Sequence, residues 1–211
     1  MVNGEEARQA QRAAVVPIYF DYGSALCYIA WRIVSALEDE LGFTALWKGV
    51  PLAARDCRVK PGAPIDAVQQ AKVLRVSCET GVAVRPLLSW PDSAAALEGL
   101  ELARAAGRAG SYHAAVFRAA FEQRADIANF GLLTQLAQRC AMDGSDFAAA
   151  LDAHLMAAKL EENRREAQRF SALGYPAFLL GEFALIGVQS IDTMRAVLGR
   201  FIRRRAAQPS A

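Results

Sequence analysis

The sequence predicts an α/β fold in which a four-stranded mixed sheet carries a large helical insertion. The chain begins with a strand–helix–strand pattern and ends with two short strands followed by a helix. Alanine-rich helical patterns fill the middle. Of the 211 residues, 54% are hydrophobic and 22% are charged, which indicates a globular protein with a sizeable core and excludes a disordered chain.

The first part of the sheet is predicted from residues 15–50. Residues 15–21 form a short apolar run typical of a buried strand, and Gly23-Ser24 breaks it. Apolar residues then recur at helical spacing from position 25 to 41, and Gly42 supplies a C-terminal stop. Because residues 43–50 read as a second strand, we expect a right-handed βαβ unit.

Residues 51–173 are predicted to form the helical insertion. Its candidate helices are residues 66–80, 93–109, 112–124, 129–141, 146–157 and 160–173. A hairpin follows, with strands 177–180 and 183–186 around a Gly181-Glu182 turn, and then a final amphipathic helix. The predicted organisation is therefore a discontinuous domain, residues 15–50 and 174–205, with a helical insertion domain at 51–173 and flexible termini at 1–14 and 206–211.

Net charge, hydropathy and the spacing of cysteines and histidines limit the partners, the location and the metal sites that can be expected. The net charge of +2 gives no electrostatic footprint for a nucleic-acid or membrane partner. The first apolar run, residues 15–20, is too short for a signal peptide or a membrane span, so we expect a soluble cytoplasmic protein. No two cysteines form a C-x-x-C pair, and His113 and His154 stand alone, so no metal site is expected.

The four cysteines are expected to differ in setting. Cys78 and Cys140 lie on predicted helices among apolar neighbours and are expected to pack in the core. Cys57, with an arginine on each side in the local sequence, is expected to be a surface loop thiol in an electropositive setting.

The clearest candidate site is the segment Asp21-Tyr22-Gly23-Ser24-Ala25-Leu26-Cys27-Tyr28, where the first strand runs into the first helix. A helix N-terminus presents unpaired N–H groups and a partial positive charge, which stabilise a thiolate. From spacing alone, Ser24 also fits an ordinary helix N-cap and Cys27 a buried helix residue. Asp21 fits either a buried acid below the site or a strand-end carboxylate with local hydrogen bonds.

This segment resembles the active site of the DsbA-like branch of the thioredoxin superfamily, in which Asp-aromatic-x-Cys-x-x-Cys-Tyr joins the first strand to the first helix. Residues 174–180, Gly-Tyr-Pro-Ala-Phe-Leu-Leu, resemble that family's Gly-Val-Pro-Thr-Phe segment, whose proline is cis. Residues 187–190 resemble its Gly-Ala-Gln segment. The resemblance covers residues 15–201 and implies a thioredoxin-like (DsbA-like) fold, in the subgroup of FrnE-like proteins, 2-hydroxychromene-2-carboxylate isomerase and kappa-class glutathione transferase.

The chain departs from the family pattern at one position. Ser24 stands where the family has its attacking cysteine, while Cys27 keeps the second sulfur. Dithiol–disulfide cycling needs both sulfurs, so dithiol oxidase activity is not expected. The isomerases and kappa-class transferases that the chain resembles also have serine here, and its hydroxyl donates a hydrogen bond to the sulfur of glutathione.

The resemblance therefore implies a glutathione-dependent isomerase or transferase with a binding cleft between Ser24, Pro176 and the insertion. Its implied catalytic residues are Ser24 and Cys27. Its implied glutathione-binding residues are Ser24, Tyr175, Pro176, Gln189 and Ser190. Gln189 and Ser190 equally fit a turn with a helix N-cap. The resemblance also implies a homodimer and a small electrophilic substrate or thiol peptide as partner.

Two other functions stay open at this stage. One is a thiol–disulfide oxidoreductase that uses Cys27 alone or with Cys57. The other is a non-catalytic domain that binds an extended peptide or partner across the degenerate site. Lys48 is expected to be a solvated charge at the edge of the sheet. The three tryptophans, Trp31, Trp47 and Trp90, are expected in the core or at a domain interface.

Overall fold

A computed structural model describes residues 14–54, 59–172 and 174–207. Its four strands are β1 (Ala14–Phe20), β2 (Phe43–Gly49), β3 (Ala177–Leu180) and β4 (Phe183–Ile186). They lie side by side in the order β2-β1-β3-β4. β1 pairs in parallel with β2 and antiparallel with β3, and β3 pairs antiparallel with β4. The predicted four-stranded mixed sheet is confirmed.

Eight α-helices lie in the described residues. They are α1 (Ala25–Leu41), α2 (Ala67–Thr80), α3 (Ala94–Ala105), α4 (Ala109–Phe121), α5 (Phe130–Arg139), α6 (Gly144–Asp152), α7 (Ala157–Arg169) and α8 (Ile191–Ala206). The bounds of α1 are those that the sequence predicts, because its two ends carry strong local signals. Ser24 caps the N-terminus, and Gly42 adopts the left-handed conformation (φ 65°) after the last turn.

An aromatic cluster packs the insertion against the sheet. The His113 ring of α4 lies 4.9 Å from that of Phe20, 4.8 Å from that of Trp47 and 4.9 Å from that of Phe117, between ring centres. Its Nδ1 atom is 2.9 Å from the hydroxyl of Tyr22. All five side chains are buried, so the helical insertion and the first two strands share one core.

Polar contacts reinforce this junction at β2. Lys48 forms an ion pair with Glu166 of α7, and the Lys48 side chain is only 15% exposed. The Asn163 side chain, also on α7, donates a hydrogen bond to the Gly49 carbonyl at 3.2 Å. The expectation that Lys48 is a solvated edge charge is therefore wrong, because its partner lies on a distant helix that the local sequence does not reveal.

Candidate active site

Ser24 lies at the turn between β1 and α1, where the helix N-terminus begins. Its backbone is extended (φ −96°, ψ 114°), and its hydroxyl oxygen accepts a hydrogen bond from the Cys27 backbone N–H at 3.4 Å. The residue is 8% exposed, and it lines a cavity of about 50 Å³. Ser24 is therefore both the cap of the helix, through its hydroxyl, and a residue in the wall of a cavity.

The turn before Ser24 is held by the Asp21 carboxylate. Its two oxygens accept hydrogen bonds from the backbone N–H groups of Gly23 and Leu52, each at 2.5 Å. Burial raises the pKa of Asp21, and the hydrogen bonds from Leu52 and Gly23 lower it in part. Asp21 thus makes the local hydrogen bonds expected of a strand-end carboxylate, and it ties the start of α1 to the segment after β2.

Cys27 points into the core. It is 0% exposed, and burial raises the pKa of its thiol to about 12, although a hydrogen bond with Ser24 lowers it in part. The protonated thiol is therefore the stable form at neutral pH, and it is a poor nucleophile. Catalysis by Cys27 stays a prediction, and this burial weighs against it. Cys57, its suggested second sulfur, lies outside the described residues.

The other two cysteines differ from each other. Cys140 is buried at the end of α5, as expected. Cys78 is exposed on α2, so its predicted core position is wrong. The physical reason is that α2 buries only Val76 among its residues, and its helical spacing of apolar residues does not reflect a deep contact face.

Three openings share Trp90 in their walls, and one of them is the cavity at Ser24. The smallest is the cavity at Ser24, and the other two have volumes of about 300 and 480 Å³. The 300 Å³ cleft is also lined by Asp21 and Gly23, so it adjoins the Ser24 cavity. Trp31 and Trp47 are buried in the core, whereas Trp90 is half-buried in the walls of these openings.

The wall of the cavity opposite Ser24 comes from α2 and the segment after it. Two carboxamide side chains, Gln69 and Gln70, line it together with Val73 and Leu87. Gln69 and Gln70 are not among the site residues predicted from the sequence. Nothing in the spacing along α2 distinguishes a glutamine that faces a cavity from one that faces solvent.

The Tyr175-Pro176 segment lies at the same end of the sheet. β1 and β3 pair with Tyr19 opposite Ala177, so the next step along this register places Pro176 opposite Phe20. The Tyr175–Pro176 peptide bond is cis. Pro176 is buried and is not among the residues that line the Ser24 cavity, whose other walls come from the insertion.

Gln189 and Ser190 follow β4 and are connected to the same segment. The Gly187 N–H donates a hydrogen bond to the Pro176 carbonyl at 2.7 Å. The Ser190 hydroxyl caps α8, because it accepts a hydrogen bond from the Thr193 N–H at 3.3 Å. Gln189 is exposed. The structure therefore gives Ser190 the N-cap role, and a role for either residue in ligand binding stays a prediction.

Residues 14–54, 59–172 and 174–207 contain neither a candidate metal site nor a candidate membrane span. No group of three or more His, Cys, Asp or Glu side chains is placed to hold a metal ion there. In the same residues, no helix combines the length and the apolar character needed to cross a membrane.

The chain matches a family model over most of its length and resembles a curated protein over a similar range. Residues 15–199 match the model of the DsbA-like thioredoxin domain. The Bacillus subtilis (strain 168) protein YwbO is 22% identical over 195 residues, which cover 87% of this chain and 94% of YwbO.

Solved structures share the fold over most of the chain. A 2-hydroxychromene-2-carboxylate isomerase superposes with a TM-score of 0.73 at 22% identity, covering 93% of this chain and all of that one (100%). The cytosolic disulfide reductase DsbM from Pseudomonas aeruginosa, in a structure with glutathione, superposes with a TM-score of 0.66 at 22% identity and covers 90% of this chain and 99% of that one. These similarities confirm the predicted DsbA-like thioredoxin fold.

Proposed function

This chain belongs to the DsbA-like thioredoxin family, and from that premise we propose that it is a glutathione-dependent isomerase or transferase. In this proposal the Ser24 hydroxyl takes the place of the attacking cysteine and stabilises the thiolate of glutathione. One observation carries the proposal: Ser24 lines a cavity, whereas Cys27 is fully buried.

The residues around the cavity fit a sulfur anion. Ser24 sits at the N-terminus of α1, where the first N–H groups of the helix and its partial positive charge favour a negative ligand. In the Cys27 N–H contact the Ser24 oxygen acts as acceptor, and the hydroxyl also lies within hydrogen-bonding reach of the neutral Cys27 thiol. A charged ligand sulfur is a stronger acceptor for the hydroxyl proton than that thiol. A charge-assisted hydrogen bond from this hydroxyl would favour thiolate over thiol.

Only the thiol end of glutathione fits the cavity. At roughly 30 Å³ for each water molecule, about 50 Å³ holds one or two waters or a sulfur atom, but not a tripeptide. In this proposal the rest of the peptide extends into the adjoining 300 Å³ cleft, beside the backbone of Gly23 and the ring of Trp90.

Bound glutathione would supply a nucleophilic sulfur, which adds to an electrophilic carbon and leaves again when the reaction is an isomerisation. The contribution of this chain is electrostatic, since fixed donors that favour the anion raise the fraction of bound glutathione present as the reactive thiolate. The known-structure relatives support the proposal, because one is an isomerase of this fold and another was determined with glutathione. We propose a cytoplasmic location, where glutathione is largely reduced.

Calorimetric titration of glutathione into the wild type and Ser24→Ala tests the proposal. A hydrogen bond to a charged group contributes roughly 1.5–3 kcal/mol, so we expect Ser24→Ala to bind about ten to a hundred times more weakly. Ser111→Ala removes an exposed hydroxyl from α4 and serves as the matched control, with affinity unchanged. Equal affinity in the wild type and Ser24→Ala, or no binding to either, would contradict the proposal.

The same samples separate this function from chemistry at Cys27. After treatment with glutathione disulfide, intact mass shows whether one glutathione is attached to the protein. We expect no adduct at Cys27, because a thiol with a pKa of about 12 and no exposed surface does not attack a disulfide. A stoichiometric adduct that disappears in Cys27→Ala would favour an oxidoreductase with a single active cysteine.

A further inference from the structure

Residues 62–90 form one self-bonded unit in front of Ser24. Helix α2 lies in the middle of the unit, and its two ends run antiparallel to each other. The backbone bonds that join the ends run from Gly62 N–H to Trp90 O (2.8 Å), from Trp90 N–H to Ala63 O (2.9 Å) and from Ile65 N–H to Leu88 O (2.9 Å). We refer to residues 62–90 as the α2 flap. Because its ends are paired, the flap can move as a single body.

No polar contact attaches the α2 flap to the sheet or to α1 within the described chain. All its hydrogen bonds and ion pairs there are made with residues 60–90. The side-chain bonds illustrate this: Gln70 donates to Ile65 O at 2.7 Å, and Ser77 donates to Val82 O at 2.7 Å. Within the described residues, the flap is therefore held on the rest of the protein by apolar contacts.

These apolar contacts come from one face of α2 and from the segment after it, where Val82 and Val84 also pack partly against the core. Val76 is 8% exposed and is the buried residue of α2, while Ile65 at the near end of the flap is 9% exposed. Val73 and Leu87 pack partly against the core and line the Ser24 cavity. Val68, on the same helix, is 77% exposed and contributes nothing to this attachment.

We propose that the α2 flap opens as one body and controls the access of ligands to the Ser24 hydroxyl. The closed form leaves about 50 Å³ beside Ser24, which admits a sulfur atom but keeps bulkier parts of a ligand away from this residue. Among residues 14–54, 59–172 and 174–207, opening breaks apolar contacts only, since the flap's hydrogen bonds there are internal, and closing buries these contacts again. The inference holds for any ligand of Ser24 and does not depend on glutathione.

The test measures how fast a thiol placed under the flap reacts. Ala25 is 7% exposed and lines the cavity, so Ala25→Cys places the probe there. The reduced protein is treated with iodoacetamide, and each cysteine is followed separately by peptide mass spectrometry. Cys78 is exposed and Cys140 is buried far from the flap in sequence, so they supply fast and slow internal references.

Two matched substitutions on α2 then separate flap opening from other motions. Val76→Ala removes the buried contact, and we expect it to speed labelling at position 25 about tenfold, a factor equivalent to ~1.4 kcal/mol. Val68→Ala makes the same chemical change at an exposed position, and we expect no change in rate. Leu87→Ala loosens the other half of the flap and is expected to act like Val76→Ala.

Each possible result decides the matter. Faster labelling at position 25 in Val76→Ala and Leu87→Ala, with Cys140 unchanged, supports the flap. Labelling at position 25 as fast as at Cys78 in every protein would show an open site and overturn the proposal. Equal acceleration at Cys140 would assign the exposure to global unfolding and would also overturn it. Since no glutathione is present, failure of the proposed function leaves these outcomes unaffected.

Discussion

The buried His113 makes the free energy of unfolding depend on pH in the acid range. The variant His113→Phe removes this titrating group and so isolates its contribution. Burial, followed by the nearby charge of Arg104, lowers the pKa of His113 well below its usual value of 6.5. In the folded state the imidazole therefore stays neutral as the pH falls below 6.5, while in the unfolded chain it takes up a proton. The unfolded state then binds more protons, so the free energy of unfolding falls as the pH falls.

The size of the effect follows from the unfolded pKa. Between pH 7.5 and pH 5, the free energy of unfolding contributed by this one group falls by about 2 kcal/mol. In His113→Phe this titration is absent, and the Tyr22 hydroxyl loses its partner at every pH. The variant is therefore less stable at pH 7.5 by about 1–3 kcal/mol, and its stability depends less on pH.

Urea unfolding of both proteins, followed by circular dichroism at pH 7.5, 6.5, 5.5 and 5, measures this difference. We expect the gap between the wild type and His113→Phe to narrow by about 2 kcal/mol as the pH is lowered over that range. His154 is present in both proteins, so its titration cancels. A gap that stays constant across the pH range would refute the neutral, buried state of His113.

Two further predictions concern stability. At Gly99 of α3 an added Cβ would meet the Tyr112 ring at 2.8 Å, so Gly99→Ala should lower the free energy of unfolding by about 1–3 kcal/mol in urea titrations. Gly110 has open space around it, so Gly110→Ala should raise the free energy of unfolding by about 0.5–1 kcal/mol. A Gly99→Ala protein more stable than the wild type would contradict the packing. A hydrogen bond to Glu98 raises the pKa of His154, so the difference in melting temperature between the wild type and His154→Ala should be largest near pH 6 and shrink as the pH rises through the folded pKa.

Much of the fold could be predicted because local signals are strong at the two ends of the chain. The bounds of α1 follow from the Ser24 cap and Gly42, and the β3–β4 hairpin from its Gly181-Glu182 turn. Inside the insertion, the observed helix ends differ from the predicted ones by several residues. α3 ends at Ala105 rather than 109, because Gly107 adopts a left-handed conformation (φ 69°) that starts a new turn before α4.

The site could be located only in part. Sequence placed Ser24 at a helix N-terminus, since a cap residue and a strand end are local features. It could not show that Cys27 is fully buried or that Trp90 faces a cavity, because periodicity describes one element and not its neighbours. The α2 flap was equally hidden, since its covering of Ser24 depends on contacts between residues more than forty positions apart.

The most direct measurement of the Ser24 role is the pKa of the thiol in bound glutathione. Ultraviolet thiolate absorbance is recorded against pH for the complexes of the wild type and Ser24→Ala, with S-methylglutathione complexes as blanks. We expect the wild type to lower this pKa below the usual thiol value of about 8.5, and Ser24→Ala to raise it again by at least about one unit. An identical thiol pKa in both complexes would show that the hydroxyl at the start of α1 does not stabilise the sulfur anion.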